Sequence, residues 1–281
     1  MFNDVIVGVG DYEAGRDAVA LARELAASGR PFTLAYVEVV GPKRVPRSEA
    51  AWPEADCRRA RKWLALLGDE LRVDAEPVCV NSHSVAKGLR TLAATEDADL
   101  VVIGASRRDE YERLLIGDDT REVLEDPACA VAVAPVGYAS RPSRLKKIGI
   151  GYDGSPATER ALAVGRRLVR DLGVSLSAFE AVPVPPQGYD PWNAQRELDE
   201  DVEEARARIA QLGDVEPQAS SGDATEALAR YGTSVDLLVL GSHKHGLIDK
   251  LMSGSTALQL ADSAPCPLLV LADTPHAASP H

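Results

Sequence analysis

The amino-acid sequence repeats one pattern twice, and no other feature constrains the fold as strongly. Residues 5–22 resemble residues 148–165: an apolar, strand-like start is followed by a helical pattern. Further along, three residues of the first half recur in the second at one constant offset: Gly104 as Gly241, Gly117 as Gly254, and Cys129 as Cys266. The polar segment 137–147 separates the copies and suits an exposed linker. The repeat predicts two homologous domains, residues 1–138 and 146–275.

Each copy alternates short apolar runs with helical patterns. The strand-like runs cover about 4–9, 32–39, 76–80, 99–103 and 130–134 in the first half, and about 147–152, 174–182, 215–219, 236–240 and 267–271 in the second. They are almost continuously apolar, as strands covered by helices on both faces must be. Regular alternation predicts parallel strands joined by right-handed crossovers. The expected fold class is α/β: two repeated Rossmann-like, doubly wound domains, each with a five-stranded parallel sheet in the order 3-2-1-4-5.

The charge balance narrows the choice of partners. The formal net charge is −12 and the sequence pI is about 4.9, whereas binding to duplex nucleic acid depends on Lys and Arg neutralising phosphates. No nucleic-acid partner is therefore expected, although a nucleotide needs only a local pocket of donors. The N-terminal stretch lacks a signal-peptide pattern, and no apolar run approaches the ~20 residues of a membrane helix. The sequence predicts a cytoplasmic protein with no membrane partner.

The cysteines indicate no metal or redox motif. None of the four forms a Cys-x-x-Cys pair, so neither a zinc site nor a thioredoxin-type site is indicated. Cys129 and Cys266 lie in apolar, strand-like segments, and we expect both to be buried thiols because free cysteine is among the most buried residue types.

Ligands of an open α/β sheet bind beyond the carboxyl ends of the strands, where the strand order reverses. For the order 3-2-1-4-5, this point lies between the first and fourth strands. In the second half, the loops that follow these strands are 151–155 and 241–256. They are the place to look for binding residues.

These loops resemble those of the universal stress protein family, whose ATP-binding loop follows the pattern Gly-x-x-Gly-x9-Gly-Ser/Thr. Gly241 and Gly254-Ser255 match the pattern, Asp153 follows the first strand, and residues 264–271 are similar to the family's closing strand. The resemblance covers essentially the whole chain, once per half. It implies an ATP-like nucleotide, with or without Mg²⁺, held by a set of residues in the second half: Gly151, Asp153, Ala181, Val182, Gly241, Ser242, His243, Lys244, Gly254, Ser255 and Thr256. The resemblance implies that Asp153 holds the ribose hydroxyls or the adenine edge and that the backbone near Ala181 and Val182 lines the base. The residues implied to surround the phosphates are Gly241, Gly254, Ser255 and Thr256.

The chemistry of a helix start agrees with this assignment. Gly254, Ser255 and Thr256 are predicted to open a helix that runs to about Asp262. The free N–H groups and positive dipole end of a helix N-terminus favour phosphate, and glycine allows the backbone to approach an anion closely. Ser255 as a plain helix N-cap is the alternative.

One position departs from the family pattern, because Lys244 replaces the middle glycine. Its ammonium offers a partner for phosphate, but the substitution places the ATP affinity in question. His243 and His245 flank it without a nearby cysteine or carboxylate triad, so no metal site is expected.

The first half differs from the second at the positions of the predicted site. Gly10 stands at the position of Asp153, followed by Asp11, and Asp118-Asp119 replace Ser255-Thr256. A phosphate charge about 4 Å from a carboxylate meets a repulsion of about 4 kcal/mol at an effective dielectric of about 20, nearly three orders of magnitude in affinity. Arg107, Arg108, Arg113 or a bridging Mg²⁺ could offset part of this. We expect a degenerate first half that serves as a structural partner or accepts a less anionic ligand.

Three functional classes remain open at this point. The preferred one is a regulatory protein that binds ATP, ADP, AMP or a cyclic nucleotide in its second half, with no catalytic residues. The two halves are expected to pair within one chain through the strands at 130–134 and 267–271, and a homodimer is left open. The alternatives are a slow ATPase, with His243 as a conceivable water activator, and an interaction module whose two sites are both vestigial.

Overall fold

The structure is a computed structural model, and it describes residues 1–40, 54–105, 118–141, 145–184, 191–241 and 254–272. The described residues up to 141 form one compact unit, and those from 145 to 272 form a second. Within these ranges, no helix combines the length and the apolar character needed to cross a membrane.

The first unit alternates strands and helices along its length. Its elements are β1 (Val5–Gly8), α1 (Tyr12–Leu25), β2 (Phe32–Val39), α2 (Glu54–Leu71), β3 (Ala75–Ser82), α3 (Val85–Thr95), β4 (Leu100–Gly104), α4 (Asp118–Glu125) and β5 (Ala130–Ala134). The strands pair in parallel in the order β3-β2-β1-β4-β5. A short 3₁₀ turn, Tyr138–Ser140, follows β5.

The second unit repeats this arrangement. Its elements are β6 (Lys147–Gly151), α5 (Pro156–Leu172), β7 (Ser175–Val182), α6 (Pro191–Ala210), β8 (Glu216–Ser221), α7 (Ala224–Tyr231), β9 (Leu237–Gly241), α8 (Gly254–Ser263) and β10 (Leu268–Leu271). Parallel pairing gives the order β8-β7-β6-β9-β10. The predicted fold class, two doubly wound five-stranded domains with strand order 3-2-1-4-5, is confirmed.

Each core lies between its sheet and the covering helices. The central strands β4 and β9 are buried along nearly their whole length, as their continuous apolar sequence requires. The charged helix α6 contributes one apolar face, in which Leu198 and Ala205 pack with Val182 and Ala219 while Val202 lies against them. Its helical spacing predicts this face, so the charges of α6 form its solvated side.

The helix α1 ends where the chain pairs with the N-terminal residues. It stops at Leu25, and Ala26 adopts an extended conformation. Phe2 then pairs with this segment: its N–H donates to the Leu25 carbonyl over 3.0 Å, and its own carbonyl accepts from the N–H of Ala27 at 2.6 Å. The hydrogen bonds to the N-terminal residues replace the next turn of helix.

In each half, an aspartate at the equivalent position accepts hydrogen bonds from the backbone at the start of the first strand. Asp99, just before β4, accepts hydrogen bonds from the N–H groups of Asn3 and Asp4. Asp236, just before β9, accepts from the N–H groups of Lys146 and Lys147, each at 2.9 Å. These carboxylates satisfy backbone donors just before or at the first residue of β1 and β6.

The four cysteines comprise two free thiols and one disulfide. Cys129 and Cys266 are buried free thiols, as predicted, and burial raises the pKa of Cys129 to about 12. Cys57 on α2 and Cys79 on β3 form a disulfide, with their Cα atoms 5.3 Å apart. No sequence motif signals this pair, because the bond depends on how α2 lies against β3.

Candidate functional site

Three strand ends meet at the switch point of the second unit. β6 is the central strand and pairs with β7 on one side and β9 on the other. Gly151 ends β6, Val182 ends β7, and Gly241 ends β9. Because all three strands are parallel, their carboxyl ends lie at the same edge of the sheet, which is where α/β folds bind ligands.

Asp153 is held in a defined position directly after β6. Its Oδ1 accepts hydrogen bonds from the N–H of Ser155 at 2.9 Å and from the hydroxyl of Thr158 at 3.0 Å. Gly154 between them has φ of 76°, a left-handed conformation that favours glycine. Oδ2 accepts no hydrogen bond from any residue in the described ranges. One carboxylate oxygen therefore anchors the side chain, and the other keeps its capacity to accept.

The start of α5 supports this carboxylate. Ser155 is the N-cap, with its side-chain oxygen accepting from the N–H of Thr158, and Pro156 occupies the first helical turn, where it fits without loss of a hydrogen bond. Thr158 is fully buried, so its hydroxyl cannot turn to solvent. The sequence Asp-Gly-Ser-Pro-x-Thr thus builds a helix start and positions Asp153 at the same time.

Tyr152 lies beside Asp153 and is buried. Its hydroxyl donates to Glu159 over 2.7 Å, and burial together with this hydrogen bond raises its pKa to about 12. Nearby, Glu180 of β7 forms an ion pair with Arg208 of α6 at 2.6 Å. Tyr152 therefore stays neutral at physiological pH and acts as a hydrogen-bond donor within a strongly polar neighbourhood.

The packing of α5 against the end of β9 requires glycine at position 241. A Cβ atom at this position would lie 2.4 Å from the carbonyl oxygen of Ala157 in the first turn of α5. Gly104 of the first half meets the same constraint, since its Cβ would lie 2.1 Å from the carbonyl oxygen of Ala14 in α1. Both glycines let a helix start approach the end of the fourth strand, whatever ligand binds there.

Ala181 and Val182, which were predicted to line the base, are both buried. The side chain of Val182 belongs to the apolar cluster with α6, and its carbonyl accepts a hydrogen bond from the N–H of Gly222 at 3.0 Å. The structure brings both residues to the same sheet edge as Asp153. The side chain of Val182 packs in the core.

The predicted phosphate-binding segment is described only in part. The helix α8 begins at Gly254 and ends at Ser263, close to the predicted end at Asp262, and Thr256 in its first turn is buried. Ser242, His243 and Lys244 lie outside the described residues, as do Arg107, Arg108, Arg113 and Gly117 of the first half. Among the residues the structure covers, no group of three or more His, Cys, Asp or Glu could hold a metal ion.

The first unit contains a cavity at its own switch point. It has a volume of about 270 Å³ and lies among the ends of β1, β2 and β4 and the helices α1, α3 and α4. The lining residues are Gly8, Val9, Gly10, Asp11, Ala14, Ala35, Tyr36, Val37, Val85, Leu89, Ile103, Gly104, Asp119, Thr120 and Val123. Two of the three acidic residues singled out in the sequence of the first half, Asp11 and Asp119, thus line one cavity. Sequence reasoning did not foresee how apolar its walls are.

Comparison with known proteins divides the chain into the same two halves. The sequence model of the universal stress protein family matches residues 1–135 and 144–272. A universal stress protein of Mycobacterium tuberculosis is 27% identical over 288 residues, covering 95% of this chain and 96% of the relative. One from Mycolicibacterium smegmatis is 28% identical and covers 95% and 96%. The crystal structure of a universal stress protein from Archaeoglobus fulgidus superposes with a TM-score of 0.65 at 16% identity, covering 96% of this chain and 98% of that one.

Proposed function

This chain belongs to the universal stress protein family, a family of stress-response proteins, and on that premise we propose that its C-terminal half binds ATP or a related adenine nucleotide. The observation that carries the proposal is the carboxylate of Asp153 at the shared edge of β6, β7 and β9. One of its oxygens is anchored by Ser155 and Thr158. A carboxylate fixed in this way can accept hydrogen bonds from ribose hydroxyls without first losing side-chain entropy.

The N-terminus of α8 supplies the complementary group. Its first residues, Gly254, Ser255 and Thr256, have N–H groups without partners inside the helix, and these groups favour a phosphate. No acidic residue stands in this first turn, in contrast to α4 of the first half, which begins Asp118-Asp119. A donor-rich helix start together with an acceptor beyond β6 suits a ligand with phosphates at one end and hydroxyls at the other.

The proposal concerns binding and regulation, with ATP, alone or with Mg²⁺, as the first ligand to test. Ser242, His243 and Lys244 complete the proposed set as neighbours of the phosphates. The proposal also includes a cytoplasmic location, domain boundaries at residues 1–138 and 146–275, and pairing of the two halves within one chain, with a homodimer left open.

Calorimetric titration of ATP, with and without Mg²⁺, tests the proposal. Wild type is expected to bind one nucleotide per chain. In Asp153→Ala, the loss of hydrogen bonds to a charged group is worth about 1.5–3 kcal/mol, so the affinity should fall by about one to two orders of magnitude.

Two further variants sharpen this test. Thr158→Val removes one anchor of Asp153 and keeps the carboxylate, so its effect should be smaller than that of Asp153→Ala. The pair Asp118→Ser and Asp119→Thr gives the first half the residues of the second, and a second binding site would show that the acidic residues prevent nucleotide binding there. Unchanged affinity in Asp153→Ala, with wild-type thermal stability, would contradict the proposal.

A further inference from the structure

The disulfide between Cys57 and Cys79 joins the beginning of α2 to the edge strand β3. Cys57 is the fourth residue of the helix, and only 5% of its surface is exposed. Of the side chains described from position 57 to position 63, it is the only buried one, and the next buried residue of the helix is Leu64. The later turns of α2 pack through Leu64 and Leu67, whereas its beginning is attached to the sheet chiefly by this covalent bond.

The second unit holds its equivalent helix without a disulfide. Cys79 pairs in register with Tyr36 of β2, and Ala219 of β8 pairs with Glu180 of β7. Tyr36 and Glu180 occupy the same place, because each follows the residue whose carbonyl accepts from the backbone N–H just beyond the central strand. Ala219 is therefore the counterpart of Cys79, and it packs in an apolar cluster with Leu198 of α6. Since an apolar contact suffices there, the fold does not depend on a disulfide at this place.

The helix restrained by the disulfide also contacts the cavity of the first unit. Tyr36, the register partner of Cys79, is one of the residues that line this cavity. The ring of Trp63 on α2 packs edge-on against the ring of Tyr36, with 6.2 Å between the ring centroids. A change in how α2 is held therefore reaches a residue of the cavity wall.

The surroundings of Cys57 also accommodate the reduced thiol. Its Sγ lies 3.7 Å from Oδ1 of Asn81 on β3, an oxygen that can accept a weak hydrogen bond from an S–H group. The free N–H groups near the start of a helix stabilise a thiolate, which is the form that breaks and forms disulfides. Cys57 can therefore exist both as half of a disulfide and as a thiol.

We propose that Cys57 and Cys79 form a reversible redox switch, which fixes the beginning of α2 against β3 when oxidised and releases it beside the cavity wall when reduced. The co-reactant is a low-molecular-weight thiol, such as glutathione, together with its disulfide. Because every residue of the switch belongs to the first unit, the switch is independent of the proposed nucleotide site in the second.

The chemistry is thiol–disulfide exchange. In reduction, one glutathione thiolate attacks a sulfur of the protein disulfide and forms a mixed disulfide, while the other cysteine leaves as a thiolate and takes up a proton. A second glutathione thiolate attacks the mixed disulfide, and the remaining cysteine leaves and is protonated in turn. Two electrons and two protons thus pass to the protein, and one molecule of oxidised glutathione forms. Oxidation reverses these steps.

Equilibration of the full chain in glutathione buffers, over a series of ratios of reduced to oxidised glutathione, tests the proposal. Alkylation of the free thiols followed by mass spectrometry gives the fraction of the bond between Cys57 and Cys79 at each ratio. This fraction should change from mostly oxidised to mostly reduced within the series, whereas the buried Cys129 and Cys266 should stay thiols. A pair that remains in one state at every ratio would overturn the proposal, as would a disulfide formed through Cys129 or Cys266.

Amide hydrogen exchange of the oxidised and reduced forms measures the release of α2. Loss of the bond should accelerate exchange in residues 57–63 by about ten-fold or more, because a helix end with few buried contacts opens locally. The helix α6 contains no cysteine and is the internal control, so its exchange should be the same in both forms. Equal exchange of α2 in the two forms would contradict the switch, and so would a parallel change in α6.

A double variant separates the switch from the packing around it. Cys57→Leu combined with Cys79→Ala gives the first unit an apolar pair of the kind that holds α6 against β8, so the variant is expected to fold. Exchange in its α2 should be the same at every glutathione ratio. If exchange in α2 of this variant still followed the ratio, the two cysteines would not be the switch and the proposal would be wrong.

Discussion

Gly241 sits where the end of β9 meets the first turn of α5. A Cβ at this position would meet the carbonyl group and the Cβ of Ala157, and these atoms cannot rotate away because they belong to the backbone or are attached directly to it. Asp153, four residues before Ala157, depends on the same helix start for its anchor. A change at Gly241 is therefore expected to act on the fold first and on the candidate site through it.

Gly241→Ala is expected to destabilise the second half. A forced methyl group in a packed region costs about 1–3 kcal/mol, and urea denaturation should show a lower midpoint by a corresponding amount. Gly10→Ala is the matched control, because a Cβ at Gly10 would meet no atom within 4 Å. Equal stability of the two variants would mean that α5 can shift away from β9 without cost.

The ion pair between Arg166 and Asp214 gives a pH-dependent contribution to stability. Arg166 donates to both oxygens of Asp214, from Nη2 to Oδ1 at 2.6 Å and from Nε to Oδ2 at 3.0 Å, and this interaction lowers the pKa of Asp214. A lowered folded-state pKa means that the stabilisation is complete above the ordinary aspartate pKa of about 3.9 and is lost as pH falls through the lowered value.

Asp214→Asn should therefore lower the free energy of unfolding at neutral pH by less than about 1 kcal/mol, since the pair is largely exposed. The difference from wild type should shrink as the pH approaches about 3. Denaturation curves at both pH values check this. A difference that stays constant over this range would assign the effect to something other than the charge of Asp214.

At the scale of elements, the helix α2 is tied to the edge strand β3 by the bond between Cys57 and Cys79. The two cysteines are 22 residues apart in sequence, and both are buried. A reducing compartment would keep them as thiols, since disulfides are rare where glutathione and thioredoxin are active. The state of this bond thus reports the environment in which the protein is held.

The oxidised protein should be more stable than the reduced one by about 3 kcal/mol, the value for closing a loop of this length. Thermal denaturation with and without a thiol reductant, together with counting of free thiols, measures the difference. Cys57→Ser is the control and should show no dependence on the reductant. If wild type behaved like Cys57→Ser, the bond would not form in solution.

The elements themselves could be predicted well from the sequence, and the contacts between them could not. Apolar runs and helical spacing are local properties, so β1 to β10 lie close to their predicted positions, and parallel order brings Asp153, Val182 and Gly241 to one edge. The roles of Asp99 and Asp236 as acceptors for the start of the first strand depend on residues about 90 positions or more away. The pairing of Cys57 with Cys79 depends on the register of a helix against a strand, which no local pattern encodes.

At the scale of the whole molecule, the hydrogen bonds of Asp17 indicate where the first half ends. Asp17 is buried, with 5% of its surface exposed, and its two oxygens accept from the N–H groups of Gly137 and Ala139, each at 2.7 Å. Ala139 belongs to the 3₁₀ turn after β5, and Gly137 is the residue that precedes this turn. The predicted boundary at residue 138 lies between them, so a fragment that ends there would keep only one donor for a buried carboxylate.

A fragment of residues 1–143 is accordingly expected to be more stable than one of residues 1–138. The lost hydrogen bond to a charged group corresponds to about 1.5–3 kcal/mol, and chemical denaturation of both fragments measures it. Asp17→Asn in each fragment serves as the control, because the difference between the fragments should become smaller without the charge. Fragments of equal stability would show that water replaces the Ala139 donor at no cost.

The tight contact of Gly104 and Gly241 with the helix starts has a consequence for how duplicated genes diverge. Packing requires one such glycine in each copy, with or without a ligand, whereas the polar residues around it differ between the copies. In a tandem chain, the shared glycine reflects the packing that both copies keep. The charged residues beside it, Asp11 and Asp119 in one half and Asp153 in the other, show where the two copies differ.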